Sequence, residues 1–302
     1  MYVLDAARMI RSAWRTSPAM SDAGQDVGLV TGFLHEFLTF LNLVEQRSER
    51  VIVVFSEYGS NKKIDPSKFN RFFPRSEKEL IANYDTMKQF LFTLFDAMPI
   101  HAINSKNLTD FECVRIVQDL HVPGTKLRVF APFEEFEVLR ALPGREDLEL
   151  FGDDLIPRVD SFSSETSFLT ENAPLYFALF GGRYTKKTVR VQRRTVLKLI
   201  PEISSRILGL NQFLEICSKL SVPTLRDEAE SNKEEITKSY AFYAGYDRIR
   251  PIHLKNVAEY LKTPKKFNEA RFTVSLYKLG VLKHLNDDFE AMKFHFRRIS
   301  EN

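Results

Sequence analysis

VIVVF, residues Val51–Phe55, is an unbroken apolar run in which every residue but the last is β-branched. A strand with one wet face alternates apolar and polar side chains. A continuous run of this length reads instead as a strand covered on both faces, as in a parallel sheet. Upstream, Met1–Leu4 is a second short apolar run that ends at Asp5. Leu29–Val44 (LVTGFLHEFLTFLNLV) repeats apolar residues at three- and four-residue spacing, a helix buried on more than one side. Downstream, Glu77–Met98 has a long helical pattern with Ser76 placed to cap it. Pro99–Ile103 reads as a strand, Thr109–Leu120 as a helix, Lys126–Ala131 as a strand and Glu134–Leu142 as a helix. Strand and helix in alternation mean βαβ units, so the expected fold class is α/β with a parallel sheet. Ligands of such sheets bind beyond the carboxyl ends of the strands, here Asp5, Phe55–Glu57, Ala102–Asn104 and Ala131–Glu135.

After Pro157 the pattern changes. Asp160–Asn172 (DSFSSETSFLTEN) is rich in Ser and Thr and reads as a loop or lid. From Ala173 onward nearly everything reads as helix, interrupted at Pro201, Pro223, Pro251 and Pro264. The expected organisation is an α/β core over residues 1–160 and a helical region over 161–302. Composition narrows the function. The 302 residues carry 43 Lys and Arg against 40 Asp and Glu, a formal net charge of +3. A protein that coats polyanions along its whole surface is far more basic, so any nucleic-acid contact is confined to patches. The use of 26 Phe beside one Trp favours packing over surface recognition. Cys113 and Cys217 make no disulfide framework and suit a reducing compartment. No paired CxxC or HxxxH spacing marks a zinc site, and no Walker loop, GxSxG elbow or GxGxxG fingerprint is present. No apolar run reaches the ~18 residues of a membrane span, and the opening MYVLDAARMIRSAW is too charged for a signal peptide. The expectation is an intracellular, cytoplasmic protein without membrane contact.

The order of these pieces resembles the flap endonuclease and 5′-exonuclease family, including its phage ribonuclease H type, with a PIN-like core. That family opens with a strand ending in Asp, matched by VLD and Asp5. Its second strand ends in an Asp where VIVVFSEYG has Ser56. A basic stretch and long helix follow, matched by KKIDPSKFNRFFPRSEKELIANYDTMKQFL. A segment of the form GxEADDxIxxL aligns with NLTDFECVRIV. Val114 and Val117 take its buried places, so Thr109, Phe111 and Glu112 fall on its Glu, Asp and Asp. A strand ending SGDKDLLQL is matched by VFAPFEEFEVL, which puts Phe133 and Glu135 on two Asp positions. ALMGDxSDNIPG…GxKTAxxLI is echoed by ALFGGRYTKKTVRVQRRTVLKLI, with Gly182 and Thr185 where two Asp stand. The resemblance covers residues 1–200.

The resemblance implies a phosphodiesterase site with two divalent cations about 3.5–4 Å apart, held by a crowd of carboxylates. Here Asp5, Glu112 and Glu135 keep a carboxylate, whereas Ser56, Thr109, Phe111, Phe133, Gly182 and Thr185 do not. Glu57, Asp110 and Glu134 each stand one residue from a lost position, and a one-residue step turns a side chain to another face. The expectation is therefore no catalytic residue and no cofactor. The alternative is a weakened nuclease with Mg2+ or Mn2+ on Asp5, Glu112 and Glu135.

Two basic stretches are candidate binding surfaces. Asn172–Pro201 has no acidic residue and carries seven basic ones, Arg183, Lys186, Lys187, Arg190, Arg193, Arg194 and Lys198. In the family this is the helix–hairpin–helix element, whose backbone amides grip duplex phosphates. Here its glycines are replaced and its charge is higher. Lys62, Lys63, Lys68, Arg71 and Arg75 interleave Phe69, Phe72 and Phe73, which suits either base stacking or inward packing. Asp227–Glu235 (DEAESNKEE) reads as a solvated helix face or a linker, and Lys293–Arg298 (KFHFRR) as a docking helix with a structural His295. Cys113 reads as a core residue. The expected function is a binding or adaptor module with protein partners, of a kind suited to a large phage in protein sorting, compartment import or replication. Structure-specific DNA binding through the basic patches is the alternative within the binding class.

Overall fold

The computed structural model describes residues 1–17, 21–22, 25–44, 50–55, 88–104, 109–120, 124–130, 134–141, 147–152, 157–158, 162–244 and 251–301. They form two compact units. One comprises Met1–Ala131, Asp153–Leu155 and Lys255–Asn302; the other comprises Pro132–Gly152 and Ile156–Leu254. This division follows packing. The change from mixed strands and helices to helices alone after Pro157 is a different partition of the chain.

The first unit is built on a parallel sheet. Its strands are β1 (Tyr2–Asp5), β4 (Val51–Phe55), β5 (His101–Asn104) and β6 (Leu127–Phe130), in the spatial order β5-β4-β1-β6. Every pairing among them is parallel, with Tyr2 opposite both Val51 and Arg128, and Ile52 opposite His101. VIVVF is an inner strand, buried at all five positions, as the unbroken run predicts. A helix α1 (Ala6–Thr16) leaves β1 directly, and two-residue strands β2 (Ser21–Asp22) and β3 (Gln25–Asp26) pair before α2 (Gly28–Val44). The helices α1 and α2 pack closely because Gly32 leaves room: a Cβ there would stand 1.8 Å from Ser17 Oγ and 3.1 Å from the Ala13 methyl.

The phenylalanines are mostly core, as their number implies. Phe33, Phe37 and Phe40 follow one another along the buried side of α2. Phe37 meets Phe95 edge-on at 5.5 Å, and Phe40 meets Phe130 at 5.0 Å. Such contacts add about 0.5–1.5 kcal/mol each to the burial itself. Of the long helix read over Glu77–Met98, residues 88–95 are helical and the rest before them lies outside the described residues.

The chain's last helices belong to this unit: α10 (Pro251–Lys262) from Lys255 onward, α11 (Glu269–Lys278) and α12 (Asp287–Glu301). The KFHFRR stretch docks as expected. Phe296 is buried within 6.5 Å of Phe37, and His295 Nε2 lies 2.7 Å from Asn42 Oδ1. The end of α10 and the segment after it cover the edge strand β5. The Ala102 N–H donates to the Tyr260 hydroxyl at 3.2 Å, His101 Nε2 lies 2.9 Å from the Thr263 carbonyl, and Lys265 Nζ donates to the Phe95 carbonyl at 3.0 Å. An uncovered edge is a template for unwanted pairing, so this strap protects the sheet.

The second unit contains a 3-10 helix, Glu134–Ala141, where the sequence pattern predicts α-helix, and β7 (Leu148–Phe151). Then come α4 (Phe162–Thr166), α5 (Ala173–Phe180), α6 (Arg193–Leu199), α7 (Leu210–Ser218), α8 (Pro223–Ser231) and α9 (Lys233–Ala244). The loop reading of Asp160–Asn172 is corrected here. Phe162 and Phe168 are buried and Thr166 Oγ1 donates back to the Phe162 carbonyl at 2.6 Å, which closes a short helix. Pro223 and Pro251 stand at helix starts, where a missing N–H costs nothing. Buried Asn172 ties the unit together: its Nδ2 donates to the carbonyls of Ile203 and Arg206 at 2.8 and 2.9 Å, and its Oδ1 accepts from the Leu208 N–H at 2.8 Å.

His101 makes the strap pH-sensitive. Burial, with Arg50 and Lys265 nearby, holds its pKa below 6.5 against the opposing hydrogen bond to Thr263. The unfolded chain therefore takes up a proton first, and the stability His101 contributes is lost as pH falls from 6.5 toward its folded value. Melting temperatures at about pH 7.5 and about pH 5.5 should fall further for wild type than for His101→Gln, which keeps a donor without a titration. Equal losses would remove His101 from the account.

Candidate active site

Asp5 ends β1 and is fully buried, opposite Val54 of the neighbouring strand. The helix that the resemblance makes a ligand carrier is α3 (Asp110–Asp119), packed against β1 and β4. Its start explains two of the family positions. The Thr109 hydroxyl accepts from the Glu112 N–H at 3.1 Å, while Glu112 Oε2 accepts from the Thr109 N–H at 2.8 Å and its hydroxyl at 2.9 Å. This is a reciprocal capping box. The T-x-x-E spacing of Thr109–Glu112 is legible as that motif, and it is the signal that alignment to a metal site passes over. Further along, Phe111, Cys113, Val114, Ile116 and Val117 are buried, and so are Arg115 and Gln118. The helix has no wet face in this stretch. Phe111 contributes ring surface where a ligand would contribute oxygen.

Glu135 lies in the second unit, 7% exposed, on the 3-10 helix. Its Oε1 accepts a hydrogen bond from the Arg183 N–H. The neighbouring Gly182 is pressed against the same oxygen: a Cβ there would lie 2.6 Å from Glu135 Oε1 and 3.0 Å from the Tyr243 hydroxyl. The Gly182 N–H donates to the Thr185 carbonyl at 3.0 Å, and the Thr185 hydroxyl lies 3.3 Å from the Tyr243 hydroxyl. Burial pushes the Tyr243 phenol above its ordinary range, so it stays protonated. Gly182 and Thr185, where the resemblance has two Asp, thus form a tight turn closed by Glu135 and Tyr243.

Glu112 and Glu135 are each committed to hydrogen bonds within the chain. Divalent magnesium needs several hard oxygen ligands with room for water. Glu112 and Glu135 are each engaged by backbone N–H groups, Phe111 has no oxygen, and a side chain at position 182 would press on the Glu135 carboxylate and the Tyr243 hydroxyl. Among the described residues, no group of three or more His, Cys, Asp or Glu side chains is arranged to hold a metal ion. Ser56, Glu57 and Phe133 lie outside the described residues. So do the basic stretch Lys62, Lys63, Lys68, Arg71 and Arg75 and its Phe69, Phe72 and Phe73.

The other basic stretch is described throughout. Gly181, with φ of +72°, ends α5 and turns the chain so tightly that a Cβ would meet the Lys187 nitrogen at 2.5 Å. The chain then doubles back, with the Thr188 and Val189 N–H groups donating to the Leu179 carbonyl at 3.0 and 3.2 Å. Val189 and Val191 are buried. Lys186, Lys187, Arg190, Arg194 and Lys198 are exposed, and Arg183 and Arg193 are half-buried. Sequence reasoning missed one residue here. In the DEAESNKEE run, Asp227, Glu230, Glu234 and Glu235 are exposed as expected, but Glu228 turns to the basic segment and accepts from its backbone. No local signal separates Glu228 from its neighbours. Of the cysteines, Cys113 is buried as expected, and burial pushes the Cys217 thiol up to about 12, leaving it unreactive.

Neither a protein-family model nor a curated relative matches the sequence. Solved structures do resemble the fold. The T5 D15 protein, co-crystallised with metal ions, is similar with a TM-score of 0.51 and 9% identity, covering 97% of this chain and 98% of its own. Human GEN1, in complex with Holliday junction DNA, is similar with a TM-score of 0.53 and 11% identity, covering 98% of this chain and 72% of its own. At such identity the likeness is one of fold, and it is the flap-endonuclease fold implied by the order of motifs.

The crowding at Gly182 is testable by a double-mutant cycle. Gly182→Ala should cost about 1–3 kcal/mol in wild type, as overpacking does, and clearly less in a Glu135→Gly background. Denaturant titration of the four proteins measures the coupling. Additive effects would mean that Glu135 does not close this turn.

Proposed function

We propose that this chain is a catalytically degenerate flap-endonuclease-fold protein that acts by binding, as an adaptor, without hydrolysing phosphodiesters. The observation that carries the reading is Glu135: its carboxylate accepts from the Arg183 N–H and packs against Gly182, so a residue aligned with a metal ligand serves to close a loop. Glu112 supports it in the same way, by capping its own helix. A T5 protein of this fold was crystallised with metal ions. This chain keeps the scaffold and gives Glu112 and Glu135 structural work.

Protein partners are favoured by apolar groups left on the surface of the first unit. Val274 and Tyr277, one turn apart on α11, are 50% and 76% exposed, beside exposed Arg271 and Lys278. A surface of this kind suits a partner that offers apolar contacts within acidic surroundings. Such an adaptor fits protein sorting, compartment import or a replication-associated complex. A second reading, DNA binding, is favoured by a different observation: the exposed cations of the Arg183–Lys198 segment. GEN1, which shares the fold, was crystallised with Holliday junction DNA.

One experiment separates the readings. Flap, duplex and single-stranded DNA are incubated with the protein at several salt concentrations, with and without Mg2+ or Mn2+, beside a variant with charge reversal at Arg190, Arg193 and Arg194. The expected result is no cleavage under any condition. Binding that weakens steeply with salt, and weakens further in the variant, supports the DNA reading; no binding leaves the protein adaptor. Metal-dependent cleavage by the wild type would overturn the proposal.

A further inference from the structure

The side of α11 that faces away from the core is apolar. Phe272 and Leu276 are buried and hold the helix to its unit. Ala270, Val274 and Tyr277 are exposed on the opposite side, at four- and three-residue spacing, so they line up as one stripe. Tyr277 is the most exposed large apolar side chain among the described residues, at 76%. Arg271 and Lys278 are exposed as well and stand about two turns apart along one edge of the stripe. The charge around it has one sign. From Lys262 to Lys283 the chain carries six Lys or Arg and one acidic residue, Glu269. That carboxylate is taken up by α12, accepting from Arg297 at 2.7 and 3.1 Å with Lys293 Nζ at 3.0 Å. Arg271 has a neighbour in Asp96, 3.5 Å away, but both are exposed and solvent screens the pair. An apolar stripe at this spacing, with cations seven residues apart on its edge, has the layout of a coiled-coil seam and its flanking charges.

We propose that this face of α11 docks an acidic amphipathic helix of a partner protein. The partner's apolar residues, at three- and four-residue spacing, lie against Ala270, Val274 and Tyr277, and its Asp or Glu side chains meet Arg271 and Lys278. The inference rests on the adaptor reading and names the chemistry of the partner. Each part of the face has a task in such a contact. Tyr277 is the aromatic anchor, the kind of residue that carries most of the affinity of an interface. Ala270, being small, lets a second helix come close. The edge cations select the sign of the partner's charge and speed its approach. The stripe runs about 10 Å, two turns, which a single partner helix matches along its length. A nucleic acid would gain from the cations but not from covering Ala270 and Val274, which offer a phosphate no donor and a base no ring.

The test pans a random-peptide display library against the full chain, with counter-selection on a Val274→Ser, Tyr277→Ser double variant whose melting temperature confirms that it folds. Enriched peptides should combine apolar residues at three- and four-residue spacing with Asp or Glu. Made synthetically, they should bind wild type at least about tenfold more tightly than Tyr277→Ala or Lys278→Glu, and lose affinity as sodium chloride rises. Exchange of the peptide's acidic residues for Lys should restore binding to Lys278→Glu and abolish it for wild type. Peptides that lack acidic residues, or whose binding ignores Val274, Tyr277 and Lys278, would overturn this site while the adaptor reading stands. No enrichment at all would also overturn it, and salt-sensitive duplex DNA binding weakened in Lys278→Glu would then take the adaptor reading down with it. A wild-type dimer in sedimentation that Tyr277→Ala dissolves would make the occupant a second copy of this chain, and would overturn the proposal as well.

Discussion

A buried carboxylate must find donors, and in this fold Glu135 finds the Arg183 N–H. Much of the second unit's local structure depends on that bond. It brings the turn after α5 against the 3-10 helix so closely that a side chain at position 182 would displace the Glu135 carboxylate. Tyr243, from α9, closes the remaining side of the turn near the Thr185 hydroxyl. Leaving a carboxylate unpaired in such a place would cost several kcal/mol, so the loop follows the charge.

The first unit applies a similar economy to its interior. Parallel strands need cover: phenylalanines from α2, from residue 95 and from α12 form one cluster against the sheet, and α3 packs on β1 and β4. The C-terminal segment then meets the backbone and side-chain donors along edge strand β5, through Tyr260 and Thr263. The last helices therefore complete a sheet whose strands were laid down at the other end of the chain. Shared fold with the D15 protein and GEN1 does not carry shared chemistry with it, because function resides in the side chains placed on the scaffold.

The basic segment is held at both ends by internal anions. Glu135 holds one end of it, at Arg183, and Glu228 holds the other, at Arg190 and Val191. Exposed cations surround backbone groups that are already satisfied. The amides of Arg183, Arg190 and Val191 are engaged within the chain, while Lys186, Lys187, Arg190, Arg194 and Lys198 leave their side chains in solvent. Its doubled-back path, fixed by Gly181 and by the carbonyl of Leu179, keeps those side chains outward and the valines inward.

By itself the sequence determined what depends on neighbours along the chain. The continuous VIVVF run, the apolar face of Leu29–Val44, the strand ending at Asp5 and the prolines at helix starts are local signals, and each has its element in the structure. The order of motifs was enough for the fold. Capping of α3 by Thr109 and Glu112 was legible too, because a capping box spans only four residues. Tertiary structure alone decided the jobs of Glu135, Gly182 and Glu228. Their partners lie 48 residues away in one case and 37 or 38 in the other, and nothing local distinguishes a carboxylate that turns inward from one that stays in water. The same holds for the short helix in Asp160–Asn172, whose Ser- and Thr-rich composition speaks for a loop until buried Phe162 and Phe168 anchor it. Burial creates the demand for a partner, and only the folded chain settles which atoms are near enough to meet it.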